Sequence, residues 1–458
     1  MPPARPLVLA ALMAFGALAV PDEQRVAAAT TTSLSQRYEI AATLDLVAGR
    51  LDAVEQLEIT NRSSRSIEHL NLSVVPRALG YLEMGDTVTV DGRTVDVEWT
   101  TGINLRVPID DLAAGDSAEI GMSFALNIGP SPDAFSARLS SENGVISFGQ
   151  WFPIVSVEHE VYGLGDPQIS FNAEVIRLEL ETTIALGRDA VACPGLVTAP
   201  DATGTSWVCE VTDVRDFSFV VNPRFQLTEA HANGTAIRVY TETVPGAATA
   251  ELARTALIGL GEAFGEYPWP DLVLAEVGAA GGFSMEYPRA IHLTRGKVAD
   301  TYVVYHEVAH QWFYAQLGND QQREPWLDEG FADFSARYLM GIAPNQCSTR
   351  PIDSSVFAWD AGATTGGDWS SCDGYFNTVF YRTTEFLNAL RVAMGDETFF
   401  GAMRDWVAAN RLGMTTARGL LLHLAAATDA DLKPIYRSYL ADLDATLRKP
   451  PTTLVKVL

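Results

Sequence analysis

Two histidines four residues apart constrain this chain more than any other feature. Residues 306–310 read His-Glu-Val-Ala-His, in a chain with only 7 histidines among 458 residues. Positions i and i+4 lie on one face of an α-helix, so His306 and His310 can bind one zinc ion. Glu307 lies beside the first imidazole, where its carboxylate can take a proton from an attacking water. The alternative is a core helix on which both histidines only pack.

A catalytic zinc usually has three protein ligands and one open position. The candidate for the third ligand is Glu329, 19 positions after His310 in the segment Trp-Leu-Asp-Glu-Gly-Phe-Ala. Gly318 can end the first helix, and residues 319–325 can turn the chain so that a second, antiparallel helix brings Glu329 back. The predicted cofactor is therefore one Zn²⁺ ion; the alternative for Glu329 is a solvated carboxylate at a helix start.

The charge of the chain disfavours one class of partner. Lys and Arg number 32 and Asp and Glu 57, which gives a net charge of −25. Phosphate binding needs a basic surface, so nucleic acid is not expected as a partner. Hydrophobic residues make up 47% of the chain and charged residues 19%, a globular composition that excludes disorder of the whole chain.

Hydrophobic periodicity divides the chain into a β-rich part and a helical part. Short alternating segments from about residue 38 to residue 240 predict strands, and Asp91-Gly92 predicts a two-residue hairpin turn. After a boundary within residues 225–245, helical spacing dominates. The predicted helices are 247–264, 302–317, 327–339, 378–394, 397–410, 416–427 and 433–443. The fold class is thus α+β, with an all-β saddle or sandwich domain first.

The start of the chain and its cysteines indicate export. Arg5 precedes an apolar run over residues 7–20, which is too short to cross a bilayer as a helix and is typical of a signal peptide. We predict a signal peptide over residues 1–29, no stable membrane insertion beyond it, and an extracellular, cell-surface or periplasmic location. Exported proteins can keep disulfides, and pairing of neighbours is the simplest connectivity. It joins Cys193 to Cys209 and Cys347 to Cys372.

These motifs resemble one known family, the gluzincin aminopeptidases typified by aminopeptidase N. The resemblance lies in H-E-x-x-H at residues 306–310, in the Trp-Leu-Asp-Glu-Gly-Phe-Ala segment around Glu329, and in His-Gln-Trp-Phe at residues 310–313. Residues 283–287, Phe-Ser-Met-Glu-Tyr, occupy the place of the family's G-x-M-E-N motif. The order of a β-rich domain followed by a helical peptidase domain is similar too.

The resemblance implies a domain plan and a function. A β-rich domain would span residues 36–235, a thermolysin-like zinc peptidase domain residues 236–448, and a tail residues 449–458. Peptides would be the substrates, and Glu286 would bind their free α-amine, which makes the enzyme an aminopeptidase. Met285 beside it would present backbone groups to an extended substrate.

The chain departs from the family pattern at two places. Phe283 and Tyr287 replace the first glycine and the asparagine of the G-x-M-E-N motif, which leaves an endopeptidase open. Phe380 stands where the family has a tyrosine that stabilises the oxyanion, so Tyr381 or Tyr375 would have to supply that hydroxyl. A second alternative is therefore a catalytically weakened protein that binds peptides. The sequence predicts no oligomeric state.

Overall fold

A computed structural model describes residues 34–85, 88–131, 138–157, 168–198, 204–280, 283–343, 351–352, 372, 374–441 and 443–448. The predicted signal peptide, the predicted tail and Cys347 lie outside these residues. The fold class is confirmed, because an all-β amino-terminal part precedes a mainly helical part.

The amino-terminal part contains three sheets within the described residues. The largest runs, in spatial order, through Leu196–Thr198, Ser206–Val214, Ala173–Thr182, Leu34–Asp45, Arg50–Asn61, Ser117–Asn127, Val88–Val90 and Arg93–Val95, with Leu82–Met84 also paired to Ser117–Asn127. A second contains Leu139–Glu142, Val145–Phe148, Phe219–Val221 and Val191–Ala192, and a third Ile154–Val155, Ile67–Ser73, Asn104–Leu112 and Glu98–Trp99. One face of the largest sheet is buried, because buried and exposed residues alternate along Arg50–Asn61.

The hairpin predicted at Asp91-Gly92 is present. Val88–Val90 pairs with Arg93–Val95 across a two-residue turn in which Asp91 has φ 50° and Gly92 φ 73°. Both central residues of a type I′ turn need positive φ, which Asp and Gly adopt at low cost.

A fourth sheet joins the β-rich part to the helical part. Its order is Gln226–Ala232, Thr235–Thr241, Asp271–Ala280 and Ala290–Arg295. The last three strands are parallel, and the helix Ala247–Phe264 connects two of them, as parallel neighbours require. The first two strands form a hairpin, and the predicted domain boundary at residues 235/236 falls inside it.

The helices that follow pack around a core of aliphatic and aromatic side chains. They are Thr301–Ala309, Glu329–Met340, Arg382–Met394, Asp396–Asn410, Ala417–Ala426, Lys433–Tyr439 and Leu443–Arg448, with a 3-10 turn at Pro325–Leu327 and a π-helix at Phe376–Tyr381. One further short helix, Val75–Ala78, lies in the β-rich part. We call Thr301–Ala309 the first ligand helix and Glu329–Met340 the second ligand helix.

The first ligand helix is shorter than predicted. It was expected to run to Leu317, but it ends at Ala309, with His310 as its cap. The following residues form i→i+5 bonds, such as Ala315 N–H to His310 O, and Tyr314 has φ 129°. The guanidinium of Arg215, from the β-rich part, donates to the Ala315 carbonyl at 3.3 Å and so holds this turn from another domain.

The predicted disulfide between Cys193 and Cys209 is present. Cys372 is disulfide-bonded as well, while its predicted partner Cys347 is outside the described residues. In the part of the chain that the structure describes, no helix has both the length and the apolarity needed to cross a membrane.

Candidate active site

The two ligand helices bring the three predicted metal ligands together. Asp300 caps the first helix by accepting bonds from the Tyr302 and Val303 amides, which fixes the start of the turn that leads to His306. His306 Nε2 lies 3.0 Å from Glu329 Oε2 and 3.2 Å from His310 Nε2.

These distances fit a zinc ion. His310 Nε2 and Glu329 Oε2 are 3.4 Å apart, so the three atoms form a nearly regular triangle with sides of 3.0–3.4 Å. Tetrahedral ligands at ~2.0–2.1 Å from zinc lie about 3.3 Å from one another. Two imidazole nitrogens and one carboxylate oxygen are also a donor set that catalytic zinc sites use. His306, His310 and Glu329 would therefore hold the ion.

Asp328 orients the second histidine. His310 Nδ1 lies 2.5 Å from Asp328 Oδ1 and 3.0 Å from the Phe313 carbonyl. Both neighbours are acceptors, so Nδ1 carries a proton, and Nε2 is the ring nitrogen that faces Glu329 and His306. Gln321 donates to the other oxygen of Asp328, so neither carboxylate oxygen of this buried residue lacks a partner.

Glu307 has the surroundings of a general base. Its side chain is buried beside both histidines, and burial raises its pKa to about 7. A buried carboxylate beside the two histidines can accept a proton from a water at the metal site. For Glu329, burial alone would raise the pKa, but hydrogen bonds from His306 and His310 outweigh that effect and lower the pKa to about 2.

Glu286 lies next to this cluster, on the edge of the fourth sheet. One of its carboxylate oxygens, one ring nitrogen of His310 and one oxygen of Asp328 lie within 4.8 Å of one another. The preceding residue, Met285, exchanges two backbone hydrogen bonds with His292 of the last strand, at 2.9 Å and 2.8 Å. The structure thus brings the predicted amine-binding residue to the metal ligands.

The two residues that depart from the family motif have different environments. Tyr287 is fully buried, and its hydroxyl fills the space that a side chain at Gly149 would need. Phe283 is 38% exposed, and its ring centre lies 6.1 Å from that of Phe376. Phe283 is therefore part of an aromatic surface that continues to the π-helix.

The π-helix presents Phe380, not Tyr381, to the predicted zinc ligand His306. The Phe380 ring stacks on His306, with centres 5.5 Å apart and an angle of 6° between the planes. Tyr381 lies under the guanidinium of Arg337, 4.7 Å from its ring centre. Tyr375 also packs against Phe380, at 5.8 Å between ring centres. The register shift that a π-helix introduces therefore leaves the phenylalanine at His306.

The comparisons with known proteins agree with this geometry. Residues 287–439 match the description "Peptidase family M1 domain", and the match includes His306, Glu307, His310 and Glu329. The chain carries a peptidase family M1 domain. Glu286 lies one residue before the matched segment. Since the M1 proteins that follow are described as zinc metallopeptidases, zinc is the metal that the family implies for this site.

Solved structures of M1 zinc metallopeptidases share the fold of most of this chain. A two-domain member bound to L-tryptophan has a TM-score of 0.65 at 16% identity, covering 91% of this chain and 97% of that one. A variant from Deinococcus radiodurans bound to a Tyr-Ser-Ala substrate has a TM-score of 0.64 at 16% identity, covering 88% and 93%. The two-domain architecture is therefore that of known M1 proteins.

A sequence relative covers only part of both chains. The membrane alanyl aminopeptidase of Manduca sexta is 27% identical over 165 residues, which are 33% of this chain. The match spans 16% of the length of that relative.

Two residues of the M1 site were not singled out from the sequence. Asp328 supports His310, and Gln311 contacts the turn that carries Glu286. Each directly follows or precedes a predicted ligand and lies inside a motif that carries the family resemblance, but neither was assigned a role. Their partners come from other segments, so spacing alone could not reveal their contacts.

Proposed function

We propose that the protein is a zinc-dependent aminopeptidase that removes amino-terminal residues from peptides. The observation that carries the proposal is the position of Glu286, whose carboxylate lies within 4.8 Å of atoms of His310 and Asp328. A carboxylate beside the metal site can bind the α-ammonium of a peptide, and this would place the first peptide bond at the metal ligands.

Each residue of the site has a separate role in the proposed reaction. Zinc held by His306, His310 and Glu329 would supply a Lewis acid. Glu307 takes a proton from the attacking water and then gives it to the leaving amine. Glu286 binds the ammonium group, and the backbone at Met285 contacts the extended substrate.

Tyr375 is the better of the two candidates for the hydroxyl that stabilises the oxyanion. Its ring contacts Phe380, which itself stacks on His306. Tyr381 instead packs against Arg337, which an ion pair with Asp333 holds in place at 2.9 Å. We therefore assign the role to Tyr375 within this proposal.

The other candidate functions predict different behaviour toward blocked peptides. An endopeptidase cleaves substrates whose amino terminus is acetylated, whereas Glu286 favours a free ammonium. A protein that only binds peptides has no need for the buried Glu307. A buried carboxylate costs stability, so its presence favours an enzyme.

The test compares wild-type protein with Glu307→Gln and Glu286→Gln. Zinc content and hydrolysis of aminoacyl reporters, free and acetylated, would be measured for each. We expect Glu307→Gln to keep zinc and to lose about 10²–10⁴-fold in kcat. We expect Glu286→Gln to raise KM for free substrates only.

Glu397→Gln, at an exposed position, is the matched control and should behave as wild type. Equal activity of wild type and Glu307→Gln would exclude the proposed enzyme. Cleavage of acetylated reporters as fast as of free ones would favour the endopeptidase.

The proposal includes export of the protein. The Cys193–Cys209 disulfide supports it, because structural disulfides persist in oxidising compartments. Fractionation of source cells, with amino-terminal sequencing of the mature protein, tests export directly. Recovery of reduced protein in the cytosol only would contradict it.

A further inference from the structure

We propose that Gln311 is a positioning residue that fixes Glu286 relative to the metal ligands. The inference rests on the proposed function, because it assigns Gln311 a part in amine recognition through Glu286. Gln311 directly follows the ligand His310, and its side chain is fully buried. Its amide reaches away from the ligand helix toward the segment that carries Glu286.

All polar groups of the Gln311 side chain bind the backbone of one turn. Its Nε2 donates to the Tyr287 carbonyl at 3.1 Å and to the Glu286 carbonyl at 3.4 Å. Its Oε1 accepts from the Arg289 amide at 2.8 Å. The three contacts therefore hold residues 286–289 against the residue next to the metal ligand.

The turn needs such support because its conformation is unfavourable. Arg289 has φ 63°, a value that non-glycine residues adopt at a cost. The Ala290 amide closes the turn by donating to the Tyr287 carbonyl at 3.0 Å. Contacts from outside the turn are what stabilise a residue in this region of backbone space. Gln311 contributes three such contacts, two donated hydrogen bonds and one accepted.

Glutamine is suited to this position by its chemistry. The site presents two carbonyl acceptors and one N–H donor to a single side-chain group. A primary amide matches this set, whereas a carboxylate lacks donors and an ammonium lacks an acceptor. A buried side chain that failed to match would leave polar groups without partners.

The consequence is a fixed separation between the two ends of the substrate site. His310 holds the metal end, and Gln311 holds the turn at the ammonium end. A displacement of about 1 Å in such a site can cost 10²-fold. Gln311 thus helps to determine that the bond cleaved is the first peptide bond of the substrate.

The experiment measures amine recognition without turnover. Full-length holoprotein carrying Glu307→Gln would be titrated with amino acid amides and with their acetylated forms in a calorimeter, and zinc content would be measured alongside. We expect Gln311→Met in this background to weaken binding of the free amides about tenfold or more. Binding of the acetylated amides and zinc content should not change.

A matched control and a second variant make the test decisive. Gln36→Met removes a glutamine of equal burial in the β-rich part, whose amide donates to Asn172 O, and should leave both affinities unchanged. If Gln311→Met does not fold, Gln311→Glu has the same size, keeps the acceptor and loses the donors. It should show the same selective loss.

The outcomes separate the two proposals. Unchanged affinity of Gln311→Met for the free amides, or an equal loss for free and acetylated forms, overturns the positioning role. If Glu286→Gln weakens binding of the free amides while the Gln311 variants do not, only the positioning role fails. If Glu286→Gln has no effect either, the amine site of the proposed function fails, and the positioning role fails with it.

Discussion

The ring of Phe380 lies parallel to the imidazole of His306, with ring centres 5.5 Å apart. A phenylalanine can orient the ligand by packing, but it cannot donate a hydrogen bond to an oxyanion. Under the proposed function, the hydroxyl for that step has to come from another side chain. Of the two tyrosines considered, Tyr375 contacts Phe380, and Tyr381 contacts Arg337.

Removing the Tyr375 hydroxyl tests this assignment. We expect Tyr375→Phe to lower kcat about 10²–10³-fold, the usual effect of losing one oxyanion donor, with little change in KM. Tyr381→Phe is the matched control, because it removes a tyrosine hydroxyl six residues further along the chain, where the ring packs against Arg337. It should stay within about threefold of wild type. Steady-state kinetics on a free aminoacyl reporter measures both. A larger loss in Tyr381→Phe than in Tyr375→Phe would reverse the assignment.

Loss of the Asp328 carboxylate should weaken zinc binding. Asp328→Asn replaces one charged acceptor of the His310 Nδ1 proton, so the imidazole is less well oriented and less basic. We expect the zinc affinity to fall about 10–100-fold, measured by competition with a chromogenic chelator.

Asp396→Asn is the control for this measurement, because Asp396 forms an exposed ion pair with Arg391. It should retain zinc as wild type does. Equal zinc affinity in Asp328→Asn and wild type would show that Asp328 does not support the metal site.

The elements that local sequence determines were predicted well. The helix Ala247–Phe264 was expected with these bounds, since its apolar spacing is regular and Gly265, with φ 101°, ends it. The spacing of His306, His310 and Glu329 was also sufficient to predict that their side chains meet, because these residues lie on two consecutive helices. Both features depend on residues close together in the sequence, so periodicity and spacing predict them directly.

The features that the sequence did not predict depend on contacts between distant segments. The first ligand helix was extended to Leu317, since residues 311–317 are apolar enough to continue it. It ends early because the turn after His310 is held by Arg215, which is 100 residues away from Ala315 in the sequence. Gln311 could not be interpreted for the same reason, because its partners at residues 286–289 belong to another element.

His292 should make the protein sensitive to acid. Burial lowers its pKa to about 3, and neither ring nitrogen has a hydrogen-bond partner among the described residues. The unfolded chain binds a proton below pH ~6.5 and the folded chain only below about pH 3, so stability falls as the pH drops between these values. At pH 5 the loss amounts to about 2 kcal/mol.

The variant His292→Leu should remove this loss. Urea unfolding at pH 7.5 and pH 5 gives the free energy of unfolding for both proteins, and the comparison cancels the acid sensitivity of all other groups. We expect wild type to lose about 2 kcal/mol more than the variant. An identical loss in the two proteins would mean that His292 is protonated in the folded state.

Glu55 should have the opposite pH dependence. Its side chain is fully buried between the strand neighbours Ile40 and Met122, and neither carboxylate oxygen has a hydrogen-bond partner among the described residues. Burial holds its pKa well above the usual value, so the folded chain keeps a proton that the unfolded chain releases near pH 4.5. Stability is therefore lost as the pH rises above 4.5.

Replacing Glu55 by leucine should stabilise the protein at pH 8. An unsatisfied buried polar group costs about 1–3 kcal/mol, so we expect Glu55→Leu to raise the free energy of unfolding by that amount at pH 8 and by less at pH 5. Glu58→Leu, on the exposed face of the same strand, should show no gain that depends on pH in this way. Thermal and urea unfolding at both pH values measure the difference. A destabilised Glu55→Leu at pH 8 would show that the carboxylate is compensated in the folded protein.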